Sequence, residues 1–225
     1  MKNLTLIIPA KNEEYSLPKV LKEIKNINCN KFIILSKTDI RTIQSIKNYK
    51  CKIIKQKKNG YGNALIEGIN SVASKYLCIF NADGSFDPKY LRTMLEKANL
   101  NKSFIFASRY TKGGGSADDS LITLAGNYIF TFIGKIFFNI KITDILFTYI
   151  IGETDKFKKL KLKNSDFRIC VEIPIKIKMN NFKYKSIPSF ERKRLGGEKK
   201  VNEFIDGFLI LMELIKNYFN PYERK

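Results

Sequence analysis

The sequence predicts an α/β fold: a mainly parallel open sheet with helices on both faces. Three observations lead there. Short apolar runs alternate with segments of helical spacing through the first half of the chain, and repeated β-α units build parallel sheets. The run Tyr76 to Phe80 ends abruptly in Asn81-Ala82-Asp83-Gly84-Ser85, an acidic turn at a strand tip, where open α/β sheets bind ligands. Finally, 225 residues with 44% hydrophobic content suffice for one large domain with a substantial core. One domain over residues 1–225 is expected, with a change of pattern between residues 1–110 and 111–225.

The elements follow in order. Leu4 to Pro9 is a short apolar strand. Ser16 to Lys25 places Leu17, Val20, Leu21 and Ile24 on one helical face. Phe32 to Leu35 is a second strand, and Ile40, Ile43 and Ile46 mark a second helix. Lys52 to Lys55 is a strand, followed by a helix over Tyr61 to Ser74 with Leu65, Ile66 and Ile69 as its stripe. Tyr76 to Phe80 is the fourth strand. Asp87 before Pro88 reads as an N-cap with proline at the first helical position, opening a helix to Ala98. Phe104 to Ala107 is the fifth strand, and Lys112-Gly113-Gly114-Gly115-Ser116 reads as a flexible loop.

The pattern then changes. Leu121 to Ile140 is apolar, aromatic and nearly long enough to span a bilayer. Asn127, Lys135, Asn139 and two glycines argue against spanning, so an in-plane or buried helix is expected. Phe167 to Met179 is helical, with Pro174 expected to kink it or shift its start. Tyr184 to Phe190 alternates like a strand, and Ile205 to Phe219 is a final amphipathic helix.

Composition narrows the chemistry. The net charge of +20 points to a polyanionic partner: nucleic acid, an anionic membrane or phosphorylated substrates. The chain has no histidine, which removes Ser-His-Asp triads and His-ligated zinc. Cys29, Cys51, Cys78 and Cys170 lack CxxC spacing and read as reduced thiols, which suits the cytoplasm. Pro9 and the charged Lys11-Asn12-Glu13-Glu14 interrupt the first apolar stretch, against a signal peptide.

Five segments carry candidate chemistry. At the end of the first strand, Asn12 and Glu13 can hydrogen-bond a base or ribose, or simply favour a helix start. Lys57-Lys58-Asn59-Gly60-Tyr61-Gly62 can bring backbone amides to a phosphate, although P-loop spacing is absent. Asp83 is a hard oxygen ligand for Mg²⁺ or Mn²⁺, sufficient when a diphosphate supplies further oxygens. Arg109 follows the fifth strand on the ligand side, with Asp118 and Asp119 after it as solvated acids or more. Glu191 to Lys200 is a dense basic loop suited to a diphosphate or a phosphate acceptor.

Together and in order, these segments resemble family 2 glycosyltransferases of the GT-A fold, in the branch of dolichyl-phosphate mannose synthase and polyprenyl-phosphate sugar transferases. The resemblance rests on IIPAKNEE, KNGYGNALIEGI, FNADGSFDP, SRYTKGGG, Ile142-Thr143-Asp144 and IPSFERKRLGGEKK, the last matching an Arg-x-x-Gly-x-x-Lys loop at Arg194, Gly197 and Lys200. Three places depart from the family pattern. Leu35-Ser36-Lys37-Thr38-Asp39 stands where an Asp pair is common, Asn81 replaces the first acid of the metal motif, and Phe147-Thr148-Tyr149-Ile150 replaces Ser-Gly-Phe-Arg.

The resemblance implies an inverting, metal-dependent transfer from a nucleotide diphosphate sugar. It implies donor contacts at Pro9, Ala10, Asn12, Glu13, Lys58, Gly60, Asn81, Ala82 and Asp83, with Mg²⁺ or Mn²⁺ at Asp83 and Ser85. Arg109, Arg194 and Lys200 would neutralise phosphate charge, and Asp144, or second Glu172, would serve as base if the acceptor is a hydroxyl. The expected acceptor is a polyprenyl phosphate, handled by a peripheral enzyme on the cytoplasmic face of a membrane. A polysaccharide hydroxyl is the alternative. A sugar-phosphate nucleotidyltransferase and a basic nucleic-acid-binding module are the rivals from other classes.

Overall fold

The first strand shows why both faces of the sheet are covered. In β1 (Leu4–Pro9) the side chains of Leu4, Leu6 and Ile8 enter one apolar cluster and Ile7 enters another, as the two-residue period of a strand requires. The computed structural model describes residues 1–196 and 200–220. The chain continues through α1 (Leu17–Glu23), β2 (Asn30–Ser36), α2 (Ile40–Ser45), β3 (Lys52–Gln56), α3 (Tyr61–Ser71), β4 (Tyr76–Ile79), α4 (Tyr90–Asn101) and β5 (Phe104–Ser108). It then forms β6 (Gly115–Ser116), α5 (Leu121–Phe138), β7 (Ile150–Glu153), α6 (Thr154–Lys159), α7 (Ile169–Met179), β8 (Tyr184–Pro188), β9 (Phe190–Glu191) and α8 (Glu203–Phe219).

The main sheet has seven strands in the order β3-β2-β1-β4-β7-β5-β8. Only β7 runs antiparallel, to both β4 and β5; the pairs β3-β2, β2-β1, β1-β4 and β5-β8 are parallel. The C-terminal ends of six strands therefore share one edge, and β7 starts from it. That edge collects the segments after Pro9, Ile79, Ser108 and Pro188, together with residues 143–149 that lead into β7. Strand order reverses around β1 and β4, so the crevice of this sheet lies between Pro9 and Asn81.

Two elements were not visible in the sequence. The stretch Tyr149-Ile150-Ile151-Gly152 is too short and uniform to declare a strand, but β7 becomes the bridge between β4 and β5 once its backbone pairs on both sides. A Cβ on Gly152 would meet the Phe104 ring, so the strand needs glycine where it crosses β5. Helix α6 turns directly off β7. Helix α7 begins at Ile169, two residues later than expected, and runs through Pro174. It is buried from Ile169 to Ile177, so packing from every side offsets the hydrogen bond that proline removes.

The glycine segment after β5 is ordered by pairing: Gly115 donates to the Ser189 carbonyl (3.2 Å), and Ala117 to the Glu191 carbonyl (2.9 Å). The expected strand to Phe190 divides at Ser189 into β8 and β9, and β9 leaves the main sheet to pair with β6. Asp87 does not cap α4 as expected: its carboxylate accepts from the Lys89 amide at 2.9 Å within a turn, and the helix starts at Tyr90 with Lys89 at its N-cap and no side-chain cap.

Helix α5 is apolar on both sides: Phe130, Ile133 and Phe138 pack against the core. Its protein-facing side carries Asn127 and Gly134, while Leu121, Ile122, Tyr128, Ile129, Phe132, Ile136 and Phe137 are exposed. By length and composition it could cross a membrane, yet it packs along α8 and against α7. Helix α8 buries Ile210 and Leu214 but exposes Phe204, Ile205, Phe208, Met212, Ile215 and Phe219.

Candidate active site

The acidic turn after β4 is braced from below and from the side. Below it, the Phe86 and Tyr149 rings stack with centroids 4.6 Å apart, with Phe80 edge-on to Tyr149. The Tyr149 hydroxyl donates to the Asp87 carbonyl (3.0 Å). Thus Phe147 and Tyr149, which stand in the stretch that departs from the family pattern, are buried aromatic support. From the side, the Leu195 amide donates to the Asp83 carbonyl (2.8 Å) and the Arg192 amide to the Ser85 carbonyl (2.9 Å). The basic loop and the acidic turn are joined backbone to backbone.

Asp83 ends β4's exit with one carboxylate oxygen committed. Its Oδ1 accepts from the amide (3.0 Å) and hydroxyl (2.8 Å) of Ser85. Ser85 is buried and also accepts from the Asn81 side-chain amide (3.3 Å). In this arrangement the Ser85 hydroxyl orients Asp83 rather than pointing outward as a ligand. Among the described residues, no group of three His, Cys, Asp or Glu could hold a metal. A single carboxylate with an uncommitted oxygen fits Mg²⁺ or Mn²⁺ only if substrate oxygens and water fill the remaining positions.

Across the crevice, Glu13 is buried while Asn12 is exposed at φ 53°. Asp39, the N-cap of α2, accepts from the Asn12 amide (2.8 Å), and Thr42 accepts from the Glu13 amide (2.9 Å). Asp39 thereby shapes the loop after β1, a role its sequence position did not reveal. Burial pushes the Glu13 carboxyl up. A bond from Ser16 and the fields of Lys200 and Arg194 oppose that rise, and Asp83 adds to it. Lys200 Nζ lies 4.0 Å from Glu13. The structure thus brings Glu13, Asp83, Arg194 and Lys200 into one electrostatic neighbourhood. Ala10 and Ala82 lie buried on the floor beside them. Gly197 lies outside the described residues.

The loop at Lys58 and Gly60 is built differently from a phosphate cradle. The Lys57 and Lys58 amides both donate to the Glu67 carboxylate, at 3.0 and 3.1 Å. A Cβ on Gly60 or Gly62 would collide with backbone carbonyls of Ser165 or Asn164. These glycines admit the 164–166 loop, and the amides expected to meet a phosphate already bind a carboxylate. The Lys58 side chain remains exposed.

Arg109 and Asp144 form the largest departure from expectation. Asp144 accepts from Arg109 Nε (2.8 Å) and Nη2 (2.9 Å), and Arg109 Nη1 reaches Asp119 and Glu191 at 3.0 Å each. The guanidinium also lies 4.5 Å over the Phe147 ring. Burial opposes the charge on Arg109, but Asp144 and Glu191 hold it firmly protonated. Burial likewise raises Asp144, against the pull of Arg109. Asp118 and Asp119, left open as solvated acids, have defined partners: Asp119 also accepts from the Tyr110 hydroxyl (2.5 Å), and Asp118 grips Arg194 (2.6 Å). Glu172 accepts from the amides of Lys163 and Asn164 and pairs with Lys176, which makes it a loop anchor.

Residues 5–161 match the model of Glycosyl transferase family 2. The chain belongs to glycosyl transferase family 2. Among its relatives, the dolichyl-phosphate hexose transferase of Haloferax volcanii is 20% identical over 216 residues, spanning 95% of this chain and 93% of that protein. Among solved structures, glucosyl-3-phosphoglycerate synthase from Mycobacterium tuberculosis, in complex with Mn²⁺, UDP and glucosyl-3-phosphoglycerate, superposes with a TM-score of 0.74 at 9% identity, over 96% of this chain and 79% of that one. Mannosyl-3-phosphoglycerate synthase from Rubrobacter xylanophilus gives 0.70 at 10% identity, over 99% and 75%. The GT-A fold and a glycosyltransferase activity of the family 2 type follow. The nucleotidyltransferase and nucleic-acid-module readings fall away.

Proposed function

We propose that this family 2 glycosyltransferase moves a sugar from a nucleotide diphosphate sugar to a polyprenyl phosphate at a membrane surface. One observation carries the reading. Asp118, just before the N-cap of α5, holds Arg194 in the loop that leads to α8. Ser120 and Thr123 at the start of α5 both donate to Glu203 at the start of α8, so the two helices that expose apolar faces begin together, α5 next to the pair that holds Arg194. A lipid with a phosphate head needs that pairing of apolar plate and cationic edge. The net charge of +20 suits an anionic cytoplasmic leaflet, and a dolichyl-phosphate hexose transferase among the relatives is consistent with such an acceptor.

In this reading Asp83 would hold Mg²⁺ or Mn²⁺, which would supply positive charge to neutralise the leaving diphosphate. Glu13 and Asn12 line the crevice for the nucleoside. A phosphate oxygen of the acceptor attacks the anomeric carbon, the bond to the diphosphate oxygen breaks, and the nucleoside diphosphate departs with inversion. Arg194 and Lys200 stabilise the charge that meets there. An acceptor phosphate is already ionised and needs no base. This matches the side chain of Asp144, which is fully buried and committed to Arg109. Asp144 and Glu172, the two carboxylates named as bases for a hydroxyl acceptor, are both held in ion pairs.

The test is release of nucleoside diphosphate from a donor panel with Mg²⁺ or Mn²⁺. Polyprenyl phosphate in vesicles, 3-phosphoglycerate and an oligosaccharide are compared as acceptors. Release that depends on the polyprenyl phosphate is expected; release driven equally by either soluble acceptor overturns the acceptor assignment.

A further inference from the structure

Arg192 spends its side chain on the acidic turn rather than on the open crevice. It leaves the basic loop and reaches under the turn. Nη2 donates to the carbonyls of Gly84 (2.9 Å) and Phe86 (3.0 Å), and Nε also points to Gly84 (3.2 Å). The Arg192 amide takes the Ser85 carbonyl and the Leu195 amide the Asp83 carbonyl. All four consecutive carbonyls of the turn, from Asp83 to Phe86, are thus bound by residues 192 and 195. On its far side the guanidinium is held by Glu23 of α1, with Nη1 to Oε1 at 2.7 Å and Nη2 to Oε2 at 3.0 Å.

The turn needs such a restraint. It has no helix or strand hydrogen bonding of its own, and Gly84 sits at φ +83°, a conformation that glycine adopts without a Cβ penalty but does not by itself fix. A carboxylate that must meet a diphosphate-bound cation tolerates little displacement. The planar fork of an arginine can bind two carbonyls and a carboxylate at once. A lysine, with its compact ammonium, cannot reproduce that geometry.

We infer that Arg192, oriented by Glu23, is a positioning residue that fixes the Asp83 carboxylate for the donor-bound cation. This deepens the proposed function and rests on it. The test compares wild type with Arg192→Gln, Arg192→Lys and Glu23→Gln. Measured are the Mn²⁺ concentration for half-maximal nucleoside diphosphate release, the donor KM, the Tm, and hydrogen exchange of the peptide spanning residues 82–88 without metal or donor.

Arg192→Gln is expected to raise the half-saturating Mn²⁺ concentration at least ~10-fold. The donor KM, measured at saturating Mn²⁺, should change less than about 3-fold, and exchange of the turn should speed up. Arg192→Lys should recover only part of the loss, and Glu23→Gln should shift both readouts in the same direction with little change in Tm. Unchanged Mn²⁺ dependence and unchanged exchange in Arg192→Gln and Glu23→Gln would overturn the inference. So would a loss that follows Tm alone. If wild type releases no nucleoside diphosphate with any donor, the proposed function fails and the inferred role fails with it. The exchange measurement then still reports whether Arg192 orders the turn.

Discussion

Arg109 grips Asp144 through two parallel bonds, Nε to Oδ2 at 2.8 Å and Nη2 to Oδ1 at 2.9 Å, joining the end of β5 to the segment before β7. The side chains are 6% and 0% exposed, so neither ion can be rescued by water if its partner is removed. Arg109→Ala would leave Asp144, Asp119 and Glu191 facing one another and should destabilise the fold by about 3–5 kcal/mol. Asp144→Asn should cost less, because Arg109 keeps two carboxylates. Urea unfolding of both variants checks the order; equal losses would contradict it.

Asp83→Ala should lower nucleoside diphosphate release at least ~100-fold if the carboxylate holds the cation that stabilises the leaving group. Its Tm should change little, since Asp83 Oδ1 bonds only within its own turn. Full activity in this variant would refute the metal assignment.

Glu13 sets a pH dependence whose sign follows from its burial. Its folded pKa lies above the ordinary value of 4.5, so the folded state binds the proton first as pH falls. Its contribution to stability is fully present below about pH 4.5 and is lost as pH rises through the folded value. At pH 7 the buried anion is a liability. Glu13→Gln, whose amide oxygen can still accept from Ser16, should match or exceed the wild-type Tm at pH 7. That advantage should shrink toward pH 4.5. A variant less stable at pH 7 would reverse the assignment.

Gly62→Ala tests why glycine stands in the first turn of α3. An added Cβ would lie 2.8 Å from the Ser165 carbonyl carbon and 2.9 Å from the Asp166 oxygen, both backbone atoms with little room to yield. A loss of about 1–3 kcal/mol is expected in urea unfolding. Wild-type stability would show that the 164–166 loop can move aside.

The double variant Phe132→Glu/Phe208→Glu removes one exposed ring from each apolar helix. Sedimentation with anionic vesicles should show binding reduced at least ~10-fold, since each buried ring is worth roughly 2 kcal/mol. Tm should hold, because both side chains point away from the core. Undiminished vesicle binding would argue that another surface meets the membrane.

Much of the sheet could be read in advance. Runs such as Leu4 to Pro9 and Lys52 to Lys55 are bounded by turn residues, and each is followed by a helical stripe. β7 escaped because a strand wedged between β4 and β5 is specified by its two neighbours rather than by its own four residues. The site divides in the same way. The placement of Asp83 at the tip of β4 was legible because an apolar run there ends in an acidic glycine turn. Arg194 and Lys200 were legible because a cationic loop with glycines is unusual. Asp39 and Arg192 were not, because each acts through a partner distant in sequence.

The sequence by itself determined the order of β-α units, the strand tip that carries Asp83, and the excess of positive charge, since all three follow from local pattern and composition. Only the tertiary structure decided which of those charges remain available. Arg109 and Asp144 looked like catalytic ions, yet folding places them against each other, because an ion taken out of water is tolerated only beside a counter-ion. Arg194 is held by Asp118, and folding sets it and Lys200 beside Asp83 and Glu13 at the edge where six strands end.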